Sequence, residues 1–203
     1  GQGMGLLAGI YYGSLPKGFK IEIQGTIEGN LLLTLTDPTE SRFSKEKVAA
    51  FFEAAKAAGG TAFSLQGVVV YTRKTRFQYG RDFLLYDILG KKMRVSDRTF
   101  VQVNDQMLAP LVKEVLAWAD AEGNGDLKDS RWLELHAGAG MFTLHLAEQV
   151  SEIVGVEASR TAVSDAQWNL NAAGYKNARM ITSLGEDALF SFAPGAFTHL
   201  LLD

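Results

Sequence analysis

The stretch Leu133-Glu134-Leu135-His136-Ala137-Gly138-Ala139-Gly140-Met141-Phe142 constrains the fold of this chain more than any other. An apolar strand runs into a turn with glycines at alternate positions, and helical spacing follows at once. Glycine in such a turn lets backbone approach a ligand closely, and the free amides at the helix start favour negative charge. The dinucleotide fingerprint needs a third glycine three residues after the second. Thr143 stands there instead, which weakens a nicotinamide or flavin reading.

Strands and helices alternate on both sides of this turn. Apolar runs at 132–136, 153–157, 178–182 and 197–203 read as strands, and 141–150 and 161–173 carry helical spacing. Alternation at this interval predicts βαβ units, hence a parallel sheet with helices on both faces. Ligands of such sheets sit at the carboxyl ends of the strands. Glu157 ends the second strand about twenty residues after the glycine turn, the place where a carboxylate accepts the ribose hydroxyls of a nucleoside. Asp203 ends the last strand and is predicted to face the same crevice. A chain stopping at Asp203 would leave an apolar edge strand open, so a truncated protein is expected.

Residues 1–98 read differently. Phe19, Ile21 and Ile23 alternate with Lys20, Glu22 and Gln24, the period of a half-buried strand. Gly29-Asn30 is a hairpin turn into a strand over 31–36. Ser44 reads as a helix N-cap ahead of Val48, Phe51, Phe52 and Ala55, and Gly59-Gly60 ends that helix. A strand over 62–72 and a hairpin around Gly90-Lys91 complete a small α+β domain. Beyond it, Asn104 or Asp105 caps a helix with Met107, Leu108, Leu111, Val112, Val115 and Leu116 on one face; Pro110 must fall in its first turns, or the helix must bend near it. Residues 120–130 read as an acidic loop. The predicted fold class is therefore α/β: an incomplete Rossmann-like domain over 99–203, preceded by a small α+β domain over 1–98.

Composition narrows the chemistry. The absence of cysteine excludes disulfides, thiolate zinc sites and a cysteine nucleophile within these residues. His136, His145 and His199 show no metal-ligand spacing, so no metal is expected in this segment. No long apolar run predicts a membrane span, and no secretion signal is visible, which makes a cytoplasmic protein the plain expectation. A net charge of −3 argues against coating nucleic acid by bulk charge. Locally, though, Arg73, Lys74, Arg76, Arg81, Lys91, Lys92, Arg94 and Arg98 are interleaved with Phe77, Tyr79, Phe83 and Tyr86. Such a stretch suits phosphates and stacked bases, or else a solvated face on half-buried strands.

The second half resembles S-adenosylmethionine-dependent methyltransferases, and within them the uracil-5-methyltransferases of tRNA and ribosomal RNA. The resemblance runs through Phe100-Val101-Gln102-Val103-Asn104, the Gly138-Ala139-Gly140-Met141-Phe142 loop, Gly155-Val156-Glu157, and more loosely Asn169 with Asn171-Ala172. It is close over 90–203 and vague over 1–89. It implies that Gln102, His136, Glu157 and Asp203 contact S-adenosyl-L-methionine, with the backbone around Gly138 and Gly140 beside its amino-acid part. It also implies an RNA substrate, tRNA or rRNA, methylated at C5 of a uridine. In that family a cysteine adds to C6 of uracil and makes C5 nucleophilic; it lies in sequence following the Asp203 position. The 203 residues are therefore expected to be inactive alone. His136 stands where an aromatic is usual, Ala137 where a cysteine is common, and Met141 and Leu184 where polar contacts are common.

Two other readings stay open on the residues: a methyltransferase acting on a protein or small molecule, and a non-catalytic RNA-binding module.

Overall fold

A computed structural model describes residues 17–39, 43–59, 62–102, 104–122 and 127–203. The start at Gly1-Gln2-Gly3-Met4, the helix-ending Gly60, Val103 of the Phe100–Asn104 motif and the centre of the acidic loop lie outside the described residues. The chain divides into two compact units, Gly1–Leu84 and Leu85–Asp203.

The first unit is built on a four-stranded sheet in the order β1-β2-β3-β4. β1 (Lys20–Gly25) and β2 (Asn30–Asp37) pair antiparallel, with Ile23 opposite Leu33. The turn between them closes at Gly29-Asn30, where the Thr26 amide donates to the Asn30 carbonyl at 2.9 Å. α1 (Lys45–Gly59) crosses over to β3 (Ser64–Thr72), which lies parallel to β2. Ser44 caps this helix, its hydroxyl accepting from the Lys47 amide at 3.3 Å. Val48, Phe51 and Phe52 of α1 meet Leu33, Leu35, Val68 and Val70 in one apolar core. Burying side chains of this size contributes roughly 1.5–3 kcal/mol each.

β4 (Arg76–Gly80) is an edge strand antiparallel to β3. The sequence reading treated these residues as part of a basic and aromatic stretch and gave them no strand. Their alternation is of arginine and glutamine with Phe77 and Tyr79, so the period of two is present but carried by aromatics. The Tyr79 ring packs on Phe52, with centroids 5.1 Å apart.

A two-stranded hairpin follows, β5 (Phe83–Ile88) and β6 (Lys91–Ser96), and the division between the units falls within β5. The sequence boundary after Arg98 therefore differs from the division at Leu84 and Leu85. The reason lies in β6, whose backbone is bonded by side chains of the second unit, described below. A 3-10 turn (Asp105–Met107) leads into α2 (Leu108–Glu122), capped by Asn104, whose carboxamide oxygen accepts from the Gln106 amide at 3.3 Å. Pro110 falls in the first turn of α2, where its missing N–H has no intrahelical partner to lose.

A second four-stranded sheet follows, entirely parallel, in the order β10-β7-β8-β9. Its strands are β7 (Arg131–Leu135), β8 (Glu152–Glu157), β9 (Ala178–Thr182) and β10 (His199–Leu202). The connections are α3 (Met141–Leu146), α4 (Arg160–Ala173) and α5 (Gly185–Ser191). α3 is shorter than the helical spacing over 141–150 suggested, and α5 was not foreseen. Leu133, Leu135, Val154 and Val156 pack on Ala188 of α5. The opposite face carries Trp132 and Glu134, and Thr143 of α3 donates its hydroxyl to Glu134. Helices thus cover both faces, and the expected α/β class is the observed one. Because β8 and β10 flank β7 on opposite sides, the strand order reverses beside β7. Such a switch point opens a crevice at the strand ends.

Among the described residues, no helix is long and apolar enough to cross a membrane.

Candidate functional site

The glycine turn emerges from β7 at this switch point. Its shape depends on left-handed backbone at His136 (φ 62°), Gly138 (φ 54°) and Gly140 (φ 77°). An L side chain is costly there, so glycine is the default. The two glycines serve different ends. A Cβ on Gly138 would meet nothing within 4 Å, whereas one on Gly140 would stand 2.9 Å from the Ala166 Cβ of α4. Gly138 leaves open space above the turn, and Gly140 lets α4 close on it. His136 bears the same positive φ with a full side chain, the kind of strained residue found at ligand sites.

Glu157 is held at the end of β8 by backbone donors from two turns. Its Oε2 accepts from the Gly138 amide at 3.1 Å and its Oε1 from the Ser159 amide at 2.7 Å. Each carboxylate oxygen keeps a further lone pair for a ligand hydroxyl. Asp203 follows β10, its amide donating to the Leu135 carbonyl at 3.2 Å. Partial burial raises the Asp203 carboxyl above its ordinary value; His136 pulls it down and Glu157 pushes it up. His136, Gly138, Gly140, Glu157 and Asp203 thus gather at one edge of the sheet. The His136 ring is exposed and stands over Gly185, within 3.4 Å of where a Cβ would lie.

Gln102 is exposed on the loop after β6 and makes no hydrogen bond to these residues among the described ones. Its segment is tied to the site indirectly. Thr99, three positions upstream, donates its hydroxyl to Asp165 of α4 at 2.8 Å. Leu184, exposed, immediately precedes α5.

One acid escaped the sequence reading. Glu134 of β7 is fully buried beneath the turn, and its Oε1 has no hydrogen-bond partner. Burial pushes its carboxyl up to about 8; the Thr143 hydroxyl opposes the rise and Asp203 adds to it. An acid at an inward position between Trp132 and His136 was the available signal. The strand was read as simply apolar, so its charge was passed over.

The basic stretch is divided between the two units. Arg73, Lys74, Arg76 and Arg81 belong to the first unit, and Lys91, Lys92, Arg94 and Arg98 to the second. Several are engaged: Arg76 with Asp82 at 2.8 Å, Lys91 with Glu148 at 2.9 Å, Lys92 with Asp87 at 2.9 Å and Arg94 with Asp165 at 3.0 Å. Arg73 and Lys74 occupy the exposed turn between β3 and β4.

Comparison with known proteins places this geometry in context. Residues 15–192 match the family model described as tRNA (uracil-5-)-methyltransferase. The match reaches well into the first unit, where the resemblance read from the sequence was vague. The 23S rRNA (uracil(1939)-C(5))-methyltransferase RlmD of Aeromonas hydrophila is 37% identical over 120 residues, covering 58% of this chain and 26% of that protein. An uncharacterized RNA methyltransferase of Streptococcus agalactiae is 27% identical over 170 residues, 82% of this chain and 37% of that protein. The chain therefore spans well under half the length of these curated relatives. The solved tRNA (uracil-54, C5)-methyltransferase of Pyrococcus abyssi, in complex with S-adenosyl-L-homocysteine, superposes with a TM-score of 0.62 at 12% identity. The superposition covers 89% of this chain and 42% of that one.

Proposed function

Since the chain belongs to the tRNA (uracil-5-)-methyltransferase family, we propose that its second unit binds S-adenosyl-L-methionine at the β7–β10 switch point, as the donor site of an RNA methyltransferase acting on C5 of a uridine. The observation that carries this reading is the Glu157 carboxylate, fixed by the Gly138 and Ser159 amides at the lip of the glycine turn. A nucleoside laid across β8 finds its ribose acceptor already oriented, so little ordering cost attends binding. The open space above Gly138 suits the amino-acid part of the cofactor. Asp203 and His136 line the side toward β10, and the family resemblance adds Gln102 from the loop after β6.

When bound, S-adenosylmethionine supplies a methyl group on a positively charged sulfonium, and the carboxylates of Glu157 and Asp203 at this sheet edge give it an acidic surround. These residues bind and orient the donor. The sequence holds no cysteine, so the thiolate that activates C5 in this family is not among them. The RNA partner, tRNA or rRNA, rests on the family and on the Arg73-Lys74 turn beside Tyr71 and Arg76. A cytoplasmic site of action fits such a substrate.

Calorimetric titration with S-adenosylhomocysteine tests the reading. Saturable binding is expected, and Glu157→Ala should weaken it about tenfold or more, the scale of lost hydrogen bonds to a charged acceptor. Failure of the wild-type chain to bind, or displacement of the ligand by NAD, would overturn it.

A further inference from the structure

α4 turns a polar face inward, and that face is bonded on two sides. Asp165 and Asn169 are each about 99% buried and one helical turn apart. Asp165 accepts from the Ser96 amide and hydroxyl, each at 2.7 Å, and from the Thr99 hydroxyl at 2.8 Å; the Arg94 guanidinium lies 3.0 Å away. Asn169 behaves like a missing strand beside β6. Its Oδ1 accepts from the Arg94 amide at 2.7 Å, and its Nδ2 donates to the Arg94 carbonyl at 3.1 Å. The second Nδ2 proton goes elsewhere, to the carbonyl of Ala139 at 2.9 Å.

Ala139 sits between the two glycines of the turn. Its peptide must keep a particular orientation for the Gly138 amide to reach Glu157 on one side and for Gly140 to keep φ at 77° on the other. Ala139 is itself buried, so its carbonyl has no access to bulk water in exchange for Asn169. A buried carbonyl left without a donor is costly, and the turn would reorient to find one. The same carboxamide also fixes the strand that leads, through Ser96 and Thr99, to the Gln102 loop.

We propose that Asn169 is a positioning residue of the cofactor site: its carboxamide holds the Ala139 peptide, and so the amino-acid end of the pocket, in register with the β6 segment that delivers Gln102. The inference rests on the cofactor reading above. It assigns Asn169 no contact with the ligand. It also predicts an uneven effect along the ligand, because Asn169 acts on the turn while Glu157, which serves the ribose, keeps its own second donor from Ser159.

The test compares S-adenosylhomocysteine with adenosine, which lacks the amino-acid part, on the full chain. Both ligands are titrated into wild type, Asn169→Asp and Asn169→Ser, below the melting temperature of each. Asn169→Asp keeps the acceptor for the Arg94 amide and removes both donors; Asn169→Ser serves if the buried carboxylate prevents folding. The expected result is a loss of about tenfold in affinity for S-adenosylhomocysteine with adenosine changed by less than about twofold, the imprint of one misplaced peptide. Faster hydrogen exchange at the Gly140 amide, now bonded to the Ala137 carbonyl at 2.7 Å, should accompany it. Unchanged affinity for both ligands in a folded variant would overturn the inference, and so would an equal loss for both, which marks a merely structural residue. If wild type binds neither ligand, the cofactor reading itself falls and this inference falls with it.

Discussion

The Gly138 amide donates to Glu157 across 3.1 Å, joining the turn after β7 to the end of β8. That bond divides the labour of the two glycines, and substitution separates them. Gly138→Ala places a methyl group in open space at positive φ, so its stability cost is about 1 kcal/mol of left-handed strain. Its larger effect should fall on S-adenosylhomocysteine affinity. Gly140→Ala adds the 2.9 Å approach to Ala166 and should cost about 2–4 kcal/mol, strain and overpacking together. Thermal melting set beside calorimetry distinguishes the two patterns; equal behaviour of the variants would contradict this division.

Glu134 predicts a pH dependence of stability. Burial lifts its carboxyl from the ordinary 4.5 to about 8. Between those values the folded protein holds a proton that the unfolded chain has released, so stability falls as pH rises. The contribution is fully present below about 4.5, declines through the interval and is gone above about 8. Glu134→Gln imitates the neutral acid and should flatten this slope. Urea denaturation at a series of pH values measures it, and an unaltered slope in the variant would assign the effect to another group.

RNA binding should be sensitive to charge in one place and not in another. Reversal of Arg73 and Lys74 to glutamate removes cations from an exposed turn. It should weaken RNA affinity across sequences and reduce the salt slope by about one for each lost phosphate contact. Reversal of Lys91 or Arg94 should act on folding first, because both hold internal partners in the second unit. Filter binding over a range of salt, beside melting curves, makes the comparison.

Asp165→Ala leaves the Ser96 amide, the Thr99 hydroxyl and the Arg94 guanidinium without their shared acceptor. Breaking a buried charged contact of this kind should cost about 3–5 kcal/mol. Chemical denaturation reads it directly, and a loss below about 1 kcal/mol would mean that solvent replaces the carboxylate.

Much of the second unit was legible because βαβ units announce themselves locally. Ala178–Thr182 is legible at its observed bounds, and in the first unit the cap at Ser44 and the hairpin turn at Gly29-Asn30 follow from residues within a few positions. β4 was missed because its apolar positions are Phe77 and Tyr79 among charged neighbours, and its pairing with β3 is a tertiary fact. α5 is short and begins after Leu184 without a capping side chain, so no local signal marked it. In the site, Glu157 could be read from its place at a strand end. Glu134 offers only an acid in an apolar strand and Asn169 only a loose motif match, since the role of each comes from what lies across the fold: Thr143 and Asp203 for one, Ala139 and Arg94 for the other.

The pairing of Asn169 with β6 bears on where one evolutionary module ends and the next begins. A graft that moved the α/β layer into another protein from α2 onward would carry the glycine turn but leave behind the backbone against which Asn169 is seated. The carboxamide would then face an unfilled groove, and the Ala139 peptide would lose its brace. The transplantable unit starts at or before the β5–β6 hairpin. Recombination between relatives should therefore respect a seam just before β5, whose first residue is Phe83, and tolerate poorly any crossover between Ser96 and β7.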